Sequence, residues 1–91
     1  MQLRTYRRVT DGFLISRVAG ETVLMDARSG EYFGINKVGT TIWELLENPL
    51  TLEALVEHLM GVYAVDPSVC NAEVDQFLSL LKSKKMLLIE E

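Results

Sequence analysis

Glu31-Tyr32-Phe33-Gly34-Ile35-Asn36-Lys37-Val38-Gly39-Thr40-Thr41-Ile42-Trp43 is the stretch in which the chain changes its period. As a strand, its first five residues place Tyr32 and Gly34 on one face and Glu31, Phe33 and Ile35 on the other. From Asn36, placed to cap a helix, the spacing becomes helical. Val38, Ile42, Leu45 and Leu46 fall at i, i+4, i+7 and i+8, and Trp43 widens the apolar stripe.

Before this corner the pattern is that of short strands. Leu3 to Val9, Phe13 to Val18 and Glu21 to Asp26 are apolar and branched runs separated by turn residues at Asp11-Gly12, Ala19-Gly20 and Arg28-Ser29-Gly30. They read as a small hairpin-linked antiparallel meander. After the corner, Asn48-Pro49 ends the first helix, because proline disfavours helical geometry in the residue before it. Thr51 caps a second helix with Leu55, Val56, Leu59 and Met60 on one face and Gly61 near its end. Asp66 followed by Pro67 starts a third, which runs to about Lys84 with Val74, Phe77, Leu78 and Leu81 at spacings of 3, 4 and 7 and basic residues in its last turn. Met86 to Ile89 reads either as a terminal strand or as a packed tail. The predicted fold is α+β and winged-helix-like, a three-stranded antiparallel sheet followed by three helices, as one domain over residues 1–91.

The totals narrow the function. A chain of 91 residues holds one modest core and no buried cleft between lobes. No apolar run reaches the roughly 18 residues of a membrane span, and the arginines at 4, 7 and 8 precede mixed sequence, not a signal-peptide core, so the cytoplasm is the expected location and no membrane partner is expected. His58 is the only histidine and Cys70 the only cysteine, which leaves the serines without an activating base and provides no metal-ligand set. The six glycines are scattered and form no phosphate cradle. No cofactor and no catalysis are expected. With a net charge of −4, and Glu53, Glu57, Glu73 and Asp75 on the helices that would meet a duplex, a winged-helix nucleic-acid binder using Arg4, Arg7, Arg8 and Lys82 to Lys85 is the weaker alternative class.

What remains is the edge at Glu31 to Ile35. Gly34 leaves a gap in the strand, which either eases the strand into the helix, with both aromatics in the core, or admits the close approach of another backbone. An extended peptide could add to that edge, with side chains falling into a groove against the third helix.

Several stretches, in order, carry a family resemblance: Asp11 to Phe13, Val23 to Asp26, Gly30 to Asn36, Val38-Gly39, Ile42 to Leu46, Thr51 to Leu55 and Tyr63 to Pro67. Over about residues 9–88 the chain resembles the PqqD-like family of recognition elements, small domains that bind the leader of a ribosomally made precursor peptide. The resemblance implies a leader paired antiparallel to the third strand of the sheet, at Glu31, Tyr32, Phe33, Gly34 and Ile35, in a groove against the third helix. From the apolar stripe of that helix Val74, Phe77, Leu78 and Leu81 are the candidates, although one stripe cannot face both core and peptide. Glu31 and Asp75 would then form an acidic rim that favours a leader carrying Lys or Arg. Asp26 to Gly30, Tyr32-Phe33 and Ile42-Trp43 look most like the free-standing recognition proteins of lasso-peptide clusters, whose partners would be a leader peptidase and an ATP-dependent cyclase. The alternative within the family is a peptide chaperone for a radical enzyme.

Overall fold

The computed structural model describes residues 4–64 and 66–91; Leu3 of the first predicted strand and Val65 of the Tyr63 to Pro67 stretch lie outside them. The elements follow in the order β1 (Thr5–Arg8), β2 (Phe13–Val18), β3 (Glu21–Asp26), β4 (Tyr32–Ile35), α1 (Lys37–Leu45), α2 (Leu52–Val62), α3 (Pro67–Ser83) and β5 (Leu87–Glu90). The fold is α+β, with the antiparallel sheet β2-β3-β4 followed by three helices. Val18 and Glu21 flank a two-residue turn in which Ala19 and Gly20 both have positive φ, 52° and 84°, the twist that suits a tight hairpin.

The first predicted strand does not join this meander. β1 pairs instead with β5, Tyr6 opposite Ile89 and Arg8 opposite Leu87, in a separate two-stranded sheet. On its other side Tyr6 and Leu50 exchange backbone bonds of 2.8 and 3.0 Å, and Arg8 N–H donates to Leu46 O at 2.9 Å. The same contacts end α1 three residues before Asn48, since they draw Leu46 to Leu50 onto an extended partner. Between the two readings left open for Met86 to Ile89, the terminal strand is the one observed.

All three predicted caps are present. Asn36 Oδ1 accepts from Gly39 N–H, Thr51 Oγ1 from Ala54 N–H, and Asp66 Oδ1 from Ser68 N–H, with Pro67 opening the third helix. Bonds from the Ser68 side chain and backbone hold the Asp66 carboxyl below its ordinary range. Leu24 and Ile35 of the sheet meet Ile42 and Trp43 of α1, Leu55 and Leu59 of α2, and Val74, Leu78 and Leu81 of α3 in one core.

Two details fix β4 to α1. Thr40 Oγ1, buried, donates to Ile35 O at 3.3 Å and accepts from the buried Thr22 hydroxyl at 2.9 Å, so sheet and helix share one satisfied polar contact, each bond contributing about 1 kcal/mol. At Gly39 a Cβ would stand 2.4 Å from Ile35 Cγ2 and 3.2 Å from Phe77 Cε1, so this corner requires glycine. Gly34, by contrast, has no atom within 4 Å of where its Cβ would stand. The glycine that lets strand pack on helix is therefore Gly39, and the gap at Gly34 is open.

Candidate functional site

β4 is an outer strand, and its alternation is the expected one: Tyr32 and Gly34 are exposed, Phe33 is half-buried and Ile35 is in the core. Asp26 N–H donates to Glu31 O at 2.8 Å. An antiparallel ladder repeats every second residue, so Leu24 with Phe33 and Thr22 with Ile35 are the hydrogen-bonded pairs. The N–H and C=O of Tyr32 and Gly34 therefore point away from β3, towards the open side of the sheet.

The end of α3 reaches β4 at Phe33. At the α1 end lies a depression of about 510 Å³ with Val38, Gly39, Ile42, Phe77 and Leu80 among its walls and Glu73 and Gln76 at its margin. At the other end a second depression of about 360 Å³ is lined by Phe13, Phe33 and Ser83, with Arg28, Lys84 and Lys85 facing Asp26 and Glu31. Lys84 Nζ lies 5.1 Å from the centre of the Phe33 ring, a cation-π contact across the gap between helix and strand. The two depressions share one flank of α3, because residues 73, 77, 80 and 84 recur every three or four positions.

The predicted site residues divide accordingly. Glu31, Tyr32, Phe33 and Gly34 lie along the open edge, and Phe77 projects into the groove from the helix. Ile35, Val74, Leu78 and Leu81 are buried in the core, between 0% and 4% exposed, and present no surface to a ligand. Asp75 lines neither depression. The acidic rim expected from Glu31 and Asp75 is not what the groove presents: Glu31 sits among Arg28, Lys84 and Lys85, and the carboxylate at the other end is Glu73. Charge on a helix depends on which flank faces the groove, and Asp75 is two residues, about 200°, away from Glu73.

Leu80, 40% exposed, and Gly39 are groove residues that sequence reasoning missed. Phe77-Leu78-Ser79-Leu80-Leu81 offers two overlapping apolar stripes, and the stripe through Val74, Leu78 and Leu81 goes to the core. The signal for the other was the spacing of 3 between Phe77 and Leu80.

Other candidate chemistry gains little. Burial pushes the Cys70 thiol up, with Glu73 adding to the shift, and its Sγ rests against Val56 O. Of the N-terminal arginines, Arg4 is paired with Glu91, while Arg8 stacks 5.1 Å over the Trp43 ring and donates to Trp43 O. Two cations of the suggested nucleic-acid face are thereby engaged within the protein. Among the described residues no helix is long and apolar enough to cross a membrane.

Known proteins share this fold. The model of the PqqD family, described as coenzyme PQQ synthesis protein D, matches residues 21–87. A search of the curated proteins finds no match. Among solved structures, TbiB1 in complex with the TbiA(beta) leader peptide is similar, with a TM-score of 0.76 and 31% identity over 88% of this chain and 93% of that one. Lasso peptide synthetase B1 complexed with the leader peptide has a TM-score of 0.78 at 23% identity, over 91% of this chain and 96% of that one, a likeness of fold.

Proposed function

This chain belongs to the PqqD family, and from that premise we propose that it is a non-catalytic adaptor that binds the leader of a ribosomally synthesised precursor peptide. The observation that carries this reading is the open edge of β4 with a groove beside it. The free groups of Tyr32 and Gly34 supply main-chain partners, and the depression at Phe77, Leu80 and Gly39 takes apolar side chains of the added strand. Holding the leader raises the effective concentration of the attached core peptide at an enzyme bound to the same adaptor. The pathway that fits best is that of a lasso peptide, with a leader peptidase and a cyclase as partners, because the 31% identical relative is held with a leader peptide. Service as a peptide chaperone in another biosynthetic pathway is the second reading, favoured by the description of the family model, which names coenzyme PQQ synthesis.

Fluorescence anisotropy against the leader encoded beside this gene tests the proposal. The expected result is affinity of about 1 μM or tighter that changes little between roughly 50 and 200 mM salt, whereas a duplex binder would lose orders of magnitude over that range. Tight duplex binding without leader binding would overturn it.

A further inference from the structure

We propose that the outer flank of α2 is a second docking surface, for a protein segment that presents aliphatic side chains beside lysine or arginine, and that it is where a processing enzyme holds the adaptor while the leader occupies the β4 groove. The inference rests on the adaptor reading above. Leu55 and Leu59 are buried in the core and Leu52 and Val56 pack against its edge half-buried, so the apolar stripe of α2 runs on from the core to the surface at Met60. Leu52, Val56 and Met60, at i, i+4 and i+8, line a groove of about 340 Å³ closed on its far side by Asn71 of α3, and Met60 is 41% exposed. A row of this kind is the receptor half of helix-type recognition.

Charge chooses the occupant. Glu53 and Glu57 form the margin of the groove, and neither has a cation within salt-bridge distance among the described residues. All 9 lysines and arginines of the chain lie outside residues 38–81, so α2 and most of α3 form an acidic layer with no internal counter-charge. His58, on the neighbouring turn, is the only basic side chain on α2. A partner with Lys or Arg around its apolar anchors is steered to this layer, and one with carboxylates is repelled.

Position makes the surface usable together with the first. The leader groove takes residues 73, 77 and 80 of α3 and Lys84 at its end, whereas Asn71 stands on the opposite flank, and the two grooves share no residue. An adaptor needs two such sites, since one surface cannot hold leader and enzyme together.

The test titrates the leader-cleaving enzyme encoded beside this gene into the protein by calorimetry, with leader peptide present, for wild type, Met60→Lys, and Glu53→Lys with Glu57→Lys. Binding by wild type, a tenfold or greater loss in both variants, on the order of 1.4 kcal/mol, and leader affinity within about twofold of wild type are expected. Unchanged leader affinity also reports that the variants fold. Equal enzyme affinity in all three proteins overturns the inference, as does wild type that binds leader but not enzyme. A dimer in sedimentation that the double charge reversal dissociates overturns it too, in favour of a second copy of the chain. Enzyme binding without leader binding would keep this surface and remove the leader reading.

Discussion

β2 and β4 are the two outer strands of one sheet, and it is β4 that the end of α3 approaches, with Lys84 Nζ 5.1 Å from the Phe33 ring. The tight turn at Ala19-Gly20 makes Val18 with Glu21 a bonded pair, so along β2 the outward backbone groups belong to Phe13, Ile15 and Arg17. Phe13 N–H returns to Thr10 O at 3.1 Å. Arg17 lies on the core-side face and reaches Glu44 at 3.2 Å, both side chains half exposed, a pair worth at most about 1 kcal/mol. Its value is elsewhere: a charge on the inward face of an edge strand discourages an incoming strand. Tyr32 to Ile35 of β4 carry no charge. What distinguishes the proposed binding edge from the other is the flank of Phe77, Leu80 and Lys84, which lines the two depressions.

The comparison can be broken most sharply with proline. Gly34→Pro removes an outward donor and fills the space an added strand needs, without touching a bond to β3. Leader affinity measured by anisotropy is expected to fall at least about thirtyfold, roughly 2 kcal/mol. Ile15→Pro, the matching change on the β2 edge, should leave affinity unaltered; equal losses in the two would remove the distinction between the edges. Next in size, Leu80→Asp places a carboxylate in the apolar wall and should weaken leader binding about tenfold, with the urea midpoint of unfolding nearly unchanged because Leu80 is already 40% exposed. Leu78→Asp, one face away and 4% exposed, should unfold the protein instead. The smallest effect belongs to the turn of the β2 edge: Ala19→Asn suits the positive φ of 52° and should raise stability by about 0.5 kcal/mol in urea denaturation, with leader affinity constant. A change in affinity there would mean that β2 takes part in binding.

Much of this was legible in the chain. The strand read at Glu31 to Ile35 is present from Tyr32, and its alternation, the three caps and the start of α3 at Asp66-Pro67 are present as read, since each depends on residues within four positions of one another. The partner of β1 was not legible, because Tyr6 meets Ile89 from the far end of the chain and Leu50 from the middle, and nothing near Tyr6 encodes either. The helix side of the groove was legible only in part. Phe77 was recognised, whereas Leu80 was passed over for Leu78 and Leu81, which an apolar count cannot tell apart from it.

By itself, then, the sequence determined where the three helices begin and which face of β4 is apolar. Those features follow from hydrogen-bond periodicity and residue type over a few neighbours. Only the tertiary structure decided which strands share a sheet, which glycine is required by contact, and which flank of α3 faces β4. These depend on which surfaces meet: Gly39 is bound to be glycine because Ile35 and Phe77 converge on it, and Leu80 is a groove residue because Val74, Leu78 and Leu81 have already filled the core.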